Sequence, residues 1–78
     1  MTTRRRTPGT FAVCIRNGEY RADLIVGKIY RVLKPQTRDR PADLRVVDES
    51  GEDYLYPREW FVRVNLPVRA KKALVATR

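Results

Sequence analysis

Seventy-eight residues with seventeen Lys or Arg against nine Asp or Glu carry a formal charge of +8, in a chain long enough for one small domain and too short for two. No histidine is present and Cys14 is the one cysteine, which excludes zinc ligand sets, disulfide frameworks and the imidazole base of most hydrolases. No apolar run approaches the roughly 18 residues of a membrane span, so no membrane partner is expected.

The opening segment, residues 1–9, holds Arg4, Arg5 and Arg6 before Pro8 and Gly9 and is expected to be a flexible basic tail. Only the short run Phe11 to Ile15 follows it, too brief for the apolar region of a signal peptide. A cytoplasmic location is therefore expected, and a lone cysteine agrees with a reducing compartment. Cys14 lacks the imidazole or similar neighbour that would activate a thiol, so a buried structural role is expected for it.

Phe11 to Arg16 alternates, with Phe11, Val13 and Ile15 on one side, and ends in Asn17-Gly18, a dipeptide suited to positive φ. This predicts the first strand. Lys28 to Leu33 is β-branched and aromatic and stops at Pro35, which predicts the second. Residues 35–43 contain two prolines and no large apolar side chain, the composition of an exposed and mobile loop. Leu44 to Asp48 and Glu52 to Tyr56 flank Glu49-Ser50-Gly51, a hairpin in which Gly51 takes the left-handed position. Pro57 to Trp60 reads as one helical turn and Phe61 to Leu66 as a fifth strand ending before Pro67. Residues 67–78 contain helix formers but are too few for an isolated helix. A frayed basic tail is expected there, with partial helix as the alternative. Five short strands in under sixty residues point to a small barrel, because closure removes edges that so small a sheet has no means to protect.

Leu24-x-x-Gly27-Lys-x-Tyr30-x-Val32-Leu33, followed by Gly51, Pro57 six residues later, Trp60-Phe61 and Val62, resembles the SH3-like barrel over roughly residues 10–66. The resemblance implies an all-β, five-stranded barrel with one short helical turn before the last strand, flanked by partly disordered tails. The chain is also similar to a set of small bacterial proteins sharing Gly-Lys-x-Tyr-x-Val-Leu and Asp-Glu-Ser-Gly-Glu-Asp-Tyr-Leu-Tyr-Pro, a resemblance that brings no activity with it. SH3 domains bind polyproline segments through an aromatic groove with acidic neighbours. Here the position of the groove tryptophan falls on Asp43-Leu44, and Arg21 lies between Glu19 and Asp23. The fold carries over; proline-rich ligand binding does not.

Tyr20, Tyr30, Tyr54, Tyr56, Trp60 and Phe61 form a dense aromatic set. If Leu55 faces inward, Tyr54 and Tyr56 share an outer platform near Trp60; if the tyrosines face inward, they are core. Core or rim packing is favoured because large aliphatics are few. Trp60, on a turn, is the expected exposed anchor for a protein partner, with residues 35–43 beside it. Asp48 to Asp53 is rich in oxygen ligands, yet it lacks the twelve-position calcium pattern and reads as a solvated hairpin tip. Glu52, Asp53 and Glu59 show no catalytic pairing, and no enzyme activity, metal or cofactor is expected.

The positive charge is unevenly placed. Residues 10–66 contain ten Lys or Arg and all nine acids, leaving most of the +8 to the two ends. Nonspecific nucleic-acid binding through these tails is the alternative to a protein partner. Arg31, Arg45 and Arg63 occupy strand positions and are candidates for one outer anion-facing patch. A monomer or a weak homo-oligomer through an open edge is expected.

Overall fold

Alternation along a strand decides which residues share a face, and packing across strands decides which face is buried. A computed structural model describes residues 10–76; Arg4, Arg5, Arg6 and Arg78 of the expected tails lie outside that range. Five strands form: β1 (Thr10–Cys14), β2 (Ile29–Leu33), β3 (Asp43–Val47), β4 (Asp53–Pro57) and β5 (Phe61–Val64), with a 3-10 turn at Arg58–Trp60 and a helix, α1, at Val68–Ala76. All pairings are antiparallel, in the order β4-β3-β2-β1-β5. Residues 68–76 thus take the helical alternative rather than a frayed one. That helix is too short to cross a membrane.

The core lies on the face formed by Ala12 and Cys14 of β1, Tyr30 and Val32 of β2, Leu44 and Val46 of β3, Tyr56 of β4 and Phe61 of β5, capped by Leu24 from the segment joining β1 to β2. The side of β1 that carries Phe11, Val13 and Ile15 is thus the one turned away from this core. Ala12 stands directly opposite Tyr30, and both are fully buried, the small side chain beside the large one. Phe11 is buried on the opposite face, beside Arg31 and Val64 in the register. Ile15 is exposed.

The expected closed or nearly closed barrel is corrected to an open sheet. β4 and β5 are its two ends, and no ladder joins them among the described residues. Asp48 N–H donates to the Glu52 carbonyl at 3.1 Å, so alternation turns the backbone of Asp53, Leu55 and Pro57 toward the open side. Pro57 has no N–H to offer a further strand. Curvature nevertheless brings the end strands near each other, with the rings of Tyr56 and Phe61 at 6.4 Å. Aromatic side chains fill the gap where backbone pairing stops.

Two polar networks tie the loops to the core. Tyr30 Oη accepts a hydrogen bond from Ile25 N–H (2.8 Å) and donates to Glu49 Oε2 (2.5 Å), which also takes Lys28 Nζ at 2.6 Å. Burial, and next the Glu49 carboxylate, push the Tyr30 phenol well above its ordinary pKa. Asp48 is 1% exposed. Its Oδ1 accepts from Ser50 N–H (2.9 Å) and Ser50 Oγ (2.6 Å), and its Oδ2 from Tyr56 Oη (2.6 Å). The 48–53 segment is therefore not simply a solvated tip: its first acid is a buried acceptor that shapes the hairpin.

The loop at 35–43 is exposed along most of its length but clamped at Asp39. Arg45 reaches it from β3 with two bonds, Nε to Oδ2 at 2.9 Å and Nη2 to Oδ1 at 2.7 Å, and Asp39 Oδ2 also accepts from Gln36 N–H. A bidentate guanidinium bond of this kind fixes geometry as well as charge. Arg45, and then the Gln36 amide, hold the Asp39 carboxyl below the usual carboxylate range. A depressed folded pKa contributes stability above the unfolded value, about 4, and that stability is lost as pH falls through the lower folded value. Arg45→Met removes it at neutral pH. The gap in melting temperature between wild type and Arg45→Met is expected to narrow on acidification below about pH 4, and a gap constant with pH refutes this role.

Candidate functional site

Three aromatic rings from three parts of the chain, Tyr20, Tyr56 and Trp60, meet at one end of the core, with Tyr54 beside them along the same groove. Tyr20 comes from the β1–β2 segment, where its N–H bonds the Asn17 carbonyl at 2.8 Å, Leu24 N–H bonds the Tyr20 carbonyl at 2.8 Å, and Asn17 Nδ2 holds the Leu24 carbonyl at 3.0 Å. Tyr54 and Tyr56 come from β4 and Trp60 from the 3-10 turn. Tyr20 meets Tyr56 edge to face at 5.4 Å, and Tyr56 stacks on Trp60 at 6.2 Å with 29° between the planes. Both are favourable aromatic geometries.

Tyr54 and Tyr56 share the inner face, opposite Val46 and Leu44 of β3, while Leu55 points to the other side. Tyr56 is core and donates its hydroxyl to Asp48. Tyr54 lies on the same face nearer the hairpin, on an end strand without an outer neighbour, and is 50% exposed. Its hydroxyl donates to Glu52 Oε1 at 3.2 Å, and that carboxylate raises the phenol pKa. Trp60 is partly buried against the core. Its ring stacks on Tyr56 and lies over Gly18, so it is less exposed than its place on a turn led one to expect. Its carbonyl also accepts from Ile15 N–H at 2.8 Å, fixing the turn to the end of β1.

Tyr20, 51% exposed, faces Tyr54 across a groove of about 250 Å³ that is also lined by Asp23, Leu55 and Tyr56. One wall is held by the hydrogen-bonded Asn17–Leu24 turn, and the Tyr56 ring, bonded through its hydroxyl to Asp48, lies between the two. This surface offers apolar ring area, two hydroxyls and one carboxylate, the mixture that suits an amphipathic ligand segment.

The three candidate arginines do not form one patch. Arg31, opposite Val47, and Arg45, opposite Leu33, share the outer face of β2 and β3. Arg63 stands opposite Ala12 and so belongs to the inner face, exposed where the core ends. Arg45 is already committed, with Nη1 on Asp53 Oδ2 at 2.8 Å besides its Asp39 bonds. Arg31 is half-buried and its Nε has no hydrogen-bond partner. Cys14 is fully buried, bonded through Sγ to the Arg16 carbonyl at 3.1 Å, and burial raises its pKa. Among the described residues no three His, Cys, Asp or Glu side chains are grouped to hold a metal ion.

Asp23 and the clamp at Asp39 escaped the sequence reading because each depends on which loops meet. Asp48 had a local signal: an aspartate two residues before a serine at a hairpin is a common side-chain turn. No protein-family model, curated protein or solved structure matches this chain.

Proposed function

We propose that this chain is a small noncatalytic binding module of a bacterial cytoplasm, built on an open five-stranded sheet with SH3-like strand order, that engages a protein partner through the Tyr20–Tyr54 groove. The strand order, the single 3-10 turn between β4 and β5, and the Gly51-to-Pro57 spacing support the SH3-like reading. The observation that carries the binding reading is the pair of half-exposed tyrosines facing each other over a buried aromatic floor. Aromatic side chains lose little rotamer freedom on docking and bury large areas, which is why they dominate binding hot spots. Trp60 and Tyr56 serve as the rigid support and Asp23 as a polar partner for a donor on the ligand.

The test is affinity capture from the native host with the full chain as bait, followed by mass spectrometry and measurement of Kd for the partner identified. Tyr54→Ala removes half-exposed ring area and one exposed hydrogen bond, so its melting temperature is expected to stay close to wild type. Its affinity is expected to fall about tenfold or more. Equal affinity of wild type and Tyr54→Ala for the captured partner rejects the groove as the contact surface.

A further inference from the structure

A second region, sharing no lining residue with the aromatic groove, carries cations that form no ion pair among the described residues. Two adjoining depressions of about 260 and 230 Å³ share Thr10 and Arg63. Asn65 and Lys71 line the first and Lys34 the second. No carboxylate lines either. Lys34, Arg63 and Lys71 form no ion pair among the described residues, whereas Lys28, Arg40 and Arg45 are each paired. The difference arises in the fold. Asp39, Asp43, Glu49 and Asp53 are taken up by those three cations, Arg45 pairing twice, and after Pro67 α1 brings Lys71 back beside Arg63.

We propose that this face binds the phosphate backbone of nucleic acid without reading its sequence. Three cations along a concave, acid-free surface match a line of phosphates, and counterion release would supply the free energy. No aromatic side chain lines the depressions, so base stacking is not part of the recognition and phosphate contact is. Asn65 adds a neutral donor. A lipid surface fits less well, because α1 presents no Trp or Phe to enter an interface and the cations line hollows rather than a helix face. This binding is independent of the aromatic groove and stands if that reading fails.

The experiment measures binding of the full chain to a mixed-sequence DNA duplex of about 20 base pairs over a salt series. The Lys34→Ala/Arg63→Ala/Lys71→Ala variant is compared with a charge-matched control, Arg16→Ala/Arg21→Ala/Arg38→Ala, whose side chains are exposed and form no ion pair. The face variant is expected to lose about tenfold or more in affinity at low salt, and its slope of log K against log salt to fall by about 3, roughly 1 for each phosphate contact removed. The control is expected to keep the wild-type slope. Lys34→Ala and Arg63→Ala alone, each lowering the slope by about 1, give the same reading should the triple variant not fold. The proposal is overturned if face variant and control lose slope equally, since net charge alone then explains the binding. It is likewise overturned if wild type fails to bind the duplex at low salt, or binds vesicles of anionic lipid but not the duplex.

Discussion

Asp48→Ala is expected to be among the most destabilising single substitutions in the chain, at about 3 kcal/mol. Its side chain is buried, and three donors converge on it from Ser50 and Tyr56. Removing it strands the Tyr56 hydroxyl inside the core with nothing to bond, which costs more than the hydrogen bond itself contributes. It also removes the side-chain turn that seats Ser50, to whose Oγ the Glu52 N–H donates at 3.2 Å. For a domain of this size the melting temperature should fall by roughly 10 to 20 °C. Asp48→Asn retains a carbonyl acceptor and nearly the same volume, so the expected order is wild type, then Asn, then Ala. Thermal unfolding by circular dichroism reads this order. A change under about 1 kcal/mol in the Ala variant means the hairpin does not depend on the buried acceptor.

Gly18→Ala should lower stability by about 2 kcal/mol through two separate effects. The residue has φ of 56°, where an L side chain costs about 1 kcal/mol relative to glycine. A methyl group there would also stand 2.7 Å from Cη2 of Trp60, so the indole must move off its seat and give up part of its stacking on Tyr56. Trp60 is the only tryptophan, which makes its fluorescence a direct reporter. The emission maximum is expected to shift to the red in the folded Gly18→Ala protein, with a lowered melting temperature. An unchanged spectrum at wild-type stability removes the Gly18–Trp60 contact from the account. Gly51 provides the contrast. It also has positive φ, at 87°, but a Cβ there meets nothing within 4 Å, so Gly51→Ala should show the backbone cost without the spectral shift.

Much of the strand plan was legible before any packing was known, because turn chemistry is local. Gly18, after Asn17, and Gly51 take positive φ at the expected turns, and the run after Pro57 forms the single helical turn. Strand limits agree with the sequence reading to within a residue or two. The orientation of β1 was not legible: Phe11, Val13 and Ile15 look like the buried stripe when β1 is read alone. Only the pairing of β1 with Tyr30 and Val32 on one neighbour and Phe61 on the other shows Ala12 and Cys14 to be the inward pair. The same holds for the site. That Tyr54 and Tyr56 share a face follows from period two, but their different fates, one at the rim and one buried on Asp48, depend on β4 being an end strand and on where Tyr20 and Trp60 arrive.

Charge shows the same division. The excess of +8, and its concentration outside residues 10–66, are properties of the sequence. Which cations are neutralised is decided by the tertiary structure, because an ion pair depends on distances that a loop or a strand register creates. Arg45 lies opposite Leu33, within reach of Asp39 and Asp53, and is committed twice. Arg63 and Lys71 meet across the Pro67 turn with no acid between them. Sequence determined how many cations, which turns and how many strands; folding determined which strand face is core, which tyrosine reaches solvent and which positive charges remain for a ligand.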